Sequence, residues 1–223
     1  MTANHQDRRP RTTSTTTEPA PKRIGRPRSE AVHRAILDAA RTQLVEVGFT
    51  RLRLEHVAAR AGVGKTTIYR RWPSKEALCQ ELLSELAAPH LAIAELGDTR
   101  AEMLGAVTNA MRAVTDTPFG PVIRALLSQI AGNPELGDPF RATVVQARRD
   151  EVARVIARGI ARGDLRPDAD ADVATELLVG PVYFRLTFGG VLDADFAARV
   201  VDGVYRGYAR PGSDLDGRAY PRT

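Results

Sequence analysis

The sequence predicts an all-α protein, on three observations. Apolar residues recur at spacings of three and four from Ser29 almost to the C-terminus. No stretch alternates apolar and polar residues as a half-buried strand would, and no hairpin turn signal joins two such stretches. Helix caps and glycine or proline stops punctuate the chain at helical lengths.

The elements follow in order. Residues 1–28 are rich in Thr, Pro and Arg, nearly free of large apolar side chains and without period, so a disordered basic arm is expected there. Val32, Ile36, Ala40, Leu44 and Val47 form the stripe of a first helix, with Ser29 as N-cap and Gly48 as stop. Leu54, Val57, Ala58 and Ala61 give a short second helix ending at Gly62. After the break Gly62-Val63-Gly64, Thr66 to Trp72 forms a third, stopped by Pro73. Two short helices joined by a glycine turn read as a helix-turn-helix. Ser74 caps a fourth helix, with Leu78, Leu82, Leu83 and Leu86 inward.

Thr99-Arg100-Ala101-Glu102 reads as a capping box opening a helix to about Val114. Further helices are expected from Pro121 to Ala131, Asp138 to Arg162, Asp170 to Phe188 and Asp195 to Ala209. The expected architecture is about nine helices. A helix-turn-helix domain spans 29–75, a larger helical bundle 76–210, and a flexible tail 211–223.

Composition narrows the function. In 223 residues, 43% hydrophobic content is enough for a sizeable core, and one cysteine leaves no disulfide framework within the chain. No run of about 18 apolar residues suggests a membrane span. The N-terminus is polar and basic with no apolar segment, so no signal peptide is expected and a cytoplasmic location is. The net charge of +5 conceals an asymmetry. Residues 1–75 carry 16 Lys+Arg against 6 Asp+Glu, a balance of +10, while the remainder carries 16 against 21, a balance of −5. A basic front on a mildly acidic body points to an anionic partner, nucleic acid before membrane. No His-x-x-x-His, Cys-x-x-Cys or nucleophile-elbow pattern occurs, so neither a metal site, a cofactor nor an enzyme is expected. Cys79 reads as an inert buried thiol.

The third helix carries the chemistry. Ile68 and Trp72, four apart, are its core side. Thr66 and Thr67 are small donors at its start, although Thr66 could instead be only an N-cap. Lys65 adds a positive charge at the helix end that already favours phosphate. Tyr69 follows Lys65 by four and shares its face. Arg70 is placed to reach a base edge in the major groove, Arg71 to reach the backbone, and Lys75 to meet phosphate from the start of the fourth helix. The chain has 29 arginines and only three lysines, Lys22, Lys65 and Lys75, so two of the three fall in this motif. Upstream, Arg26 and Arg28 lie in Lys22-Arg23-Ile24-Gly25-Arg26-Pro27-Arg28, which is able to lie in a narrow minor groove or to remain a solvated flank.

The string from Val57 to Leu78, with Gly48-Phe49, Ala61-Gly62-Val63, Thr67-Ile68-Tyr69, Trp72 and Ser74-Lys75-Glu76, resembles the DNA-binding domain of TetR-type (TetR/AcrR) one-component transcriptional regulators. The resemblance implies that the recognition-helix positions contact double-stranded DNA. It also implies that the C-terminal body binds a small effector and dimerises through its last two helices. Two-fold symmetry then implies a palindromic operator with reading helices about 34–36 Å apart. One departure is Arg53, at a position where the family often has Thr or Ser; the cap is lost, but a long cation there still reaches phosphate. Leu178, Val182, Leu186, Phe196, Val200 and Val204 are candidates for the interface, or alternatively for intrachain core. Leu82, Leu86, Met103, Met111, Phe119, Leu126, Ile130 and Tyr183 are candidate pocket walls for a hydrophobic or amphipathic effector.

The competing reading is a non-specific or architectural DNA binder acting through the basic arm. Deleting residues 1–28 separates the two in a mobility-shift assay: near-complete loss of DNA binding for the architectural protein, partial loss for the regulator.

Overall fold

A computed structural model describes residues 26–211, together with Met1. Most of the basic arm and the tail after 211 therefore lie outside the described residues. Ten α-helical segments follow one another: α1 (Arg26–Arg51), α2 (Leu54–Arg60), α3 (Lys65–Arg71), α4 (Lys75–Ala87), α5 (Thr99–Thr115), α6 (Phe119–Gly132), α7 (Pro134–Phe140), α8 (Gln146–Arg162), α9 (Ala171–Phe188) and α10 (Ala194–Tyr208). A π-helical stretch, Arg141–Val145, joins α7 to α8, so the described residues form nine rods. None of these helices is long and apolar enough to cross a membrane.

Helix α1 begins three residues earlier than Ser29 suggests. Pro27 does not prevent this, because the first-turn N–H groups of a helix have no intrahelical partner. The regular helix breaks at Gly48, whose φ of 74° is costly for any other residue. Helices α1, α2 and α3 pack as a small head around Ile36, Leu44, Leu52, Val57, Ile68 and Trp72. The turn between α2 and α3 needs Gly62 at φ 68°, and the Val63 N–H donates to the Ala58 carbonyl at 2.9 Å to close it.

In the body, α5 lies at the centre, packed on α6, α8, α9 and α10. Helix α4 runs between head and body, touching α1 on one side and α6 and α7 on the other. Helix α1 also packs along α6, so the head is seated on the body over two surfaces and the buried residues form one continuous cluster.

The start of α5 differs from the capping-box expectation. Asp98 is the cap, its carboxylate accepting from the Ala101 N–H at 2.9 Å, and Thr99 is the first helical residue. Thr99 instead donates to Asp164 at 2.6 Å. Glu102 is released from capping and turned inward, fully buried. It accepts from the Leu96 and Gly97 N–H groups at 3.2 and 3.1 Å and from Arg158 of α8 at 2.7 Å. The long helix expected from Asp138 starts earlier, at Pro134, because Asn133 caps it through the Glu135 N–H. Helices α9 and α10 are capped by Asp170 and Asp193.

Burial pushes the Glu102 carboxyl up, but the hydrogen bonds from Arg158 and the Leu96 N–H, with the charges of Arg158 and Arg162, outweigh it and hold the group below its ordinary value. A carboxyl lowered by folding stabilises the fold above its unfolded pKa and loses that contribution as pH falls through the folded value. Urea unfolding of Glu102→Ala is expected to show a loss of about 3 kcal/mol at pH 7, because one half of a buried pair is left behind. The deficit should shrink as pH falls below about 4.

Candidate nucleic-acid interface and effector cavity

The exposed side of α3 is set by what its other side buries. Ile68 and Trp72 are almost wholly inaccessible, so Lys65, Thr66, Tyr69 and Arg70 face outward together, with Thr67 half-buried at the edge. Gly64 occupies the N-cap position, so Thr66 lies inside the first turn and its cap-only reading does not apply. Lys65 and Arg70 have no side-chain hydrogen bond or ion pair among the described residues. Arg53 holds the N-cap position of α2 in extended conformation with no side-chain cap, as its substitution for Thr or Ser implies, and it too is exposed. Three cations thus border one surface, Lys65 being close enough to Glu55 for their charges to interact. The Arg71 guanidinium lies over the Trp72 ring at 5.4 Å. Arg26 and Arg28 belong to the first turn of α1 by backbone, and their side chains lie outside what is described.

Two side chains do more than their sequence positions disclose. The Tyr69 hydroxyl donates to Glu55 of α2 at 2.7 Å. That bond holds the Glu55 carboxyl below its usual range and the Tyr69 phenol above its own. Tyr69 is thereby a neutral phenol fixed in orientation on the exposed face. Lys75 is half-buried, donates to the Phe49 carbonyl at 3.1 Å and stands 4.2 Å from the Phe49 ring centre. Its ammonium therefore ties the start of α4 to the segment following the Gly48 break.

The end of α3 is locked in the same way. The Trp72 indole donates to Glu81 of α4 at 2.5 Å and stacks on His33 of α1 with ring centres 5.5 Å apart. His33 Nε2 is 2.8 Å from Glu85 and 3.6 Å from Glu81. Its Nδ1 is buried with no partner, which fits the tautomer with the proton on Nε2, donated to Glu85. This His33, Glu81 and Glu85 group has the donor types for a divalent cation. Its hydrogen bonds within the chain already account for the geometry. Cys79 is buried and its thiol pushed up to about 12 by burial, so it is inert as expected.

The body contains a cavity of about 330 Å³, near the lower end of ordinary small-molecule sites. Its walls come from the end of α4 (Ala87) and the turn that follows it (His90), from α5 and α6 (Ala110, Phe119, Ile123), from the π-helical stretch (Val144, Val145) and from α9 (Val179, Tyr183). Of the eight candidate wall residues, Phe119, Ile130 and Tyr183 line it. Leu82, Met103, Met111 and Leu126 are buried core elsewhere, and Leu86 packs against that core. Helical period identifies an inward face but not which part of it meets empty space. Arg148, one of three charged wall residues with Arg149 and Glu176, had no sequence signal among so many arginines.

The candidate interface residues also sort out. Leu178, Val182, Leu186, Phe196 and Val204 are buried within their own chain, and Val200 is partly so. The unpartnered apolar face of α9 is the adjacent one: Val173, Leu177, Phe184 at 64% exposure and Phe188 at 74%, followed by Val191. Gly180 lies between Leu177 and Phe184 in that row, exposed and with open space where a Cβ would stand.

A small three-helix head presenting cations on the exposed second helix of a helix-turn-helix, on a helical body with a cavity, is the arrangement of a helix-turn-helix DNA-binding protein. Comparison with known proteins agrees. Residues 36–82 match bacterial regulatory proteins of the tetR family, and residues 93–204 match the tetracyclin repressor-like C-terminal domain. The chain is 33% identical over 166 residues to YdeS of Bacillus subtilis strain 168, an uncharacterized HTH-type transcriptional regulator, covering 74% of this chain and 83% of that one. It is 29% identical over 190 residues to the DNA-binding transcriptional repressor TetR of Mycobacteroides abscessus, covering 83% and 98%. The solved structure of the TetR family transcription regulator SCO0332 superposes with a TM-score of 0.63 at 30% identity, covering 80% of this chain and 99% of that one. The chain belongs to the TetR family, and it is a transcriptional regulator rather than an enzyme.

Lys75→Met should lower stability by about 1 kcal/mol in thermal unfolding, the value of one hydrogen bond to a charged donor in a half-exposed setting. Lys75→Arg should recover part of it.

Proposed function

We propose that the protein is a homodimeric repressor that binds a palindromic operator and is released from it by a small apolar or amphipathic effector. Residues 29–75 serve as the reading head and 76–210 as the sensing and dimerising body. The observation that carries this reading is the exposed face of α3, where Lys65 and Arg70 make no side-chain hydrogen bond among the described residues and Tyr69 is held by Glu55. Arg70 reads a base edge. Lys65, Thr66 and Thr67 meet phosphate, and Tyr69 meets phosphate or a base edge. Arg53 and Arg71 flank them on the backbone, and Arg26 and Arg28 continue the contact along the arm. Lys75 adds phosphate contact while keeping its hold on Phe49.

The exposed row on α9 supports a second copy as partner. Single exposed apolar side chains are ordinary, but Phe184 and Phe188, with ring centres 5.0 Å apart, join Leu177 and Val173 in one contiguous row, and Gly180 admits close helix approach. An interface there is isologous and gives the two-fold axis that a palindrome requires.

Helix α4 supports the coupling. Its first residue touches Phe49 in the head, and its last, Ala87, lines the cavity together with His90 of the turn that follows. A ligand that binds better when the end of α4 is displaced shifts the population away from the DNA-competent spacing.

Selection of bound DNA from a random pool should recover a short palindrome. An absence of any preferred palindrome would exclude the repressor, while a steep salt slope with no sequence preference would favour the architectural alternative. On the recovered site, Arg70→Ala should cost about 1–3 kcal/mol and relax one base position. Lys65→Ala should weaken all sequences alike and reduce the salt slope by about 1.

A further inference from the structure

Arg148 is the most unusual charge in the body. It lies on the cavity wall, only 8% exposed; most of that wall is apolar, and its other polar members are His90, Thr175, Tyr183 and the pair Arg149 and Glu176. Guanidinium groups keep their proton in proteins, so it is a buried cation. Yet its partners are the main-chain carbonyls of His90 at 2.6 Å and Leu91 at 3.2 Å, not a carboxylate. The acids near it are engaged elsewhere. Glu176, on the same wall, pairs with Arg149 at 3.2 Å. Glu151 pairs with Arg154 at 2.5 Å and accepts from the Ile93 N–H. Tyr183, also on the wall, has its phenol raised by burial and so carries no negative charge at neutral pH. Among the described residues no carboxylate hydrogen-bonds to it, and only the Glu151 charge acts on it through space; a buried cation so thinly compensated is costly, and an incoming anion lowers that cost.

We infer that the effector is an anionic amphiphile: an apolar body filling the cavity, with one carboxylate-type head that pairs with Arg148. This rests on the proposal that the cavity is the effector site, and it names the ligand's chemical class. A neutral apolar molecule fills the same space but adds no compensation for Arg148. A cation meets repulsion in a site of low polarity.

The same residue supplies the link to DNA. The two carbonyls that Arg148 holds follow α4, at the turn Ala88–His90 and the residue after it. A carboxylate is a stronger acceptor than a carbonyl for the same N–H groups. When it takes them, His90 and Leu91 lose their tie to α8 and the end of α4 is freed.

The test uses matched probes on the full chain by isothermal titration calorimetry: decanoate against 1-decanol, and 2-naphthoate against 2-naphthylmethanol. The two pairs distinguish an aliphatic from an aromatic acid. Wild type should bind at least one carboxylate about tenfold or more tightly than its alcohol. Arg148→Met should abolish that preference while retaining alcohol binding, and Arg148→Lys should keep part of it. The wild-type comparison stands even if Arg148→Met fails to fold. Equal affinity for carboxylate and alcohol overturns the anionic class and leaves the cavity as a ligand site. A preference that survives in a folded Arg148→Met overturns Arg148 as its origin. Absence of binding by all four probes overturns the inference. A carboxylate that binds with the expected preference but leaves operator affinity unchanged overturns the release step and the effector reading, while the anion site stands.

Discussion

The reading surface depends on how Trp72 is held. Its ring is buried between α1 and α4, stacked on His33, and its N–H is committed to Glu81. A large aromatic with its one polar atom satisfied by a carboxylate is among the most strongly fixed side chains available to a small domain. Trp72 is also the residue that ends α3. Fixing it fixes the roll of a seven-residue helix that is too short to be stable alone and packs chiefly on α2. The outward direction of Lys65, Tyr69 and Arg70 follows from that roll.

The same contacts make α4 the connecting element. It receives Trp72 and His33 near its middle and Phe49 at its start, and its end reaches the cavity. Head and body also share the α1–α6 surface and one continuous core. The head is thus not a bead on a linker. The proposed coupling would run along α4 through packed side chains that already contact α3.

Charge follows a comparable division. Among the described residues the front of the chain leaves Lys65, Arg53 and Arg70 exposed and without side-chain hydrogen bonds, while many body arginines are paired with nearby acids. The pair Glu102–Arg158 and the group Thr99, Asp164 and Arg162 fasten α5 to α8. Arg148 is an exception within the body, a buried cation whose hydrogen bonds go to main-chain carbonyls.

Much of this was legible in the sequence. Helix periodicity, glycine stops and the order Gly62-Val63-Gly64 to Trp72 determined the all-α class and the helix-turn-helix. They also determined which face of α3 is core, because these signals are local and act within one or two turns. Local signals failed where a side chain had a distant competitor. Thr99 and Glu102 satisfy a capping-box pattern, but Asp164 and Arg158, far along the chain, claim them and leave Asp98 to cap. The apolar residues of α9 are abundant all round, so period could not say that Leu178 and Val182 go inward while Leu177 and Phe184 stay out. Tertiary structure alone decided the hold of Lys75 on Phe49, the bond from Tyr69 to Glu55, and the placing of Arg148 against an empty apolar space. Each depends on which helices meet, and that is a property of the whole packed chain rather than of any segment of it.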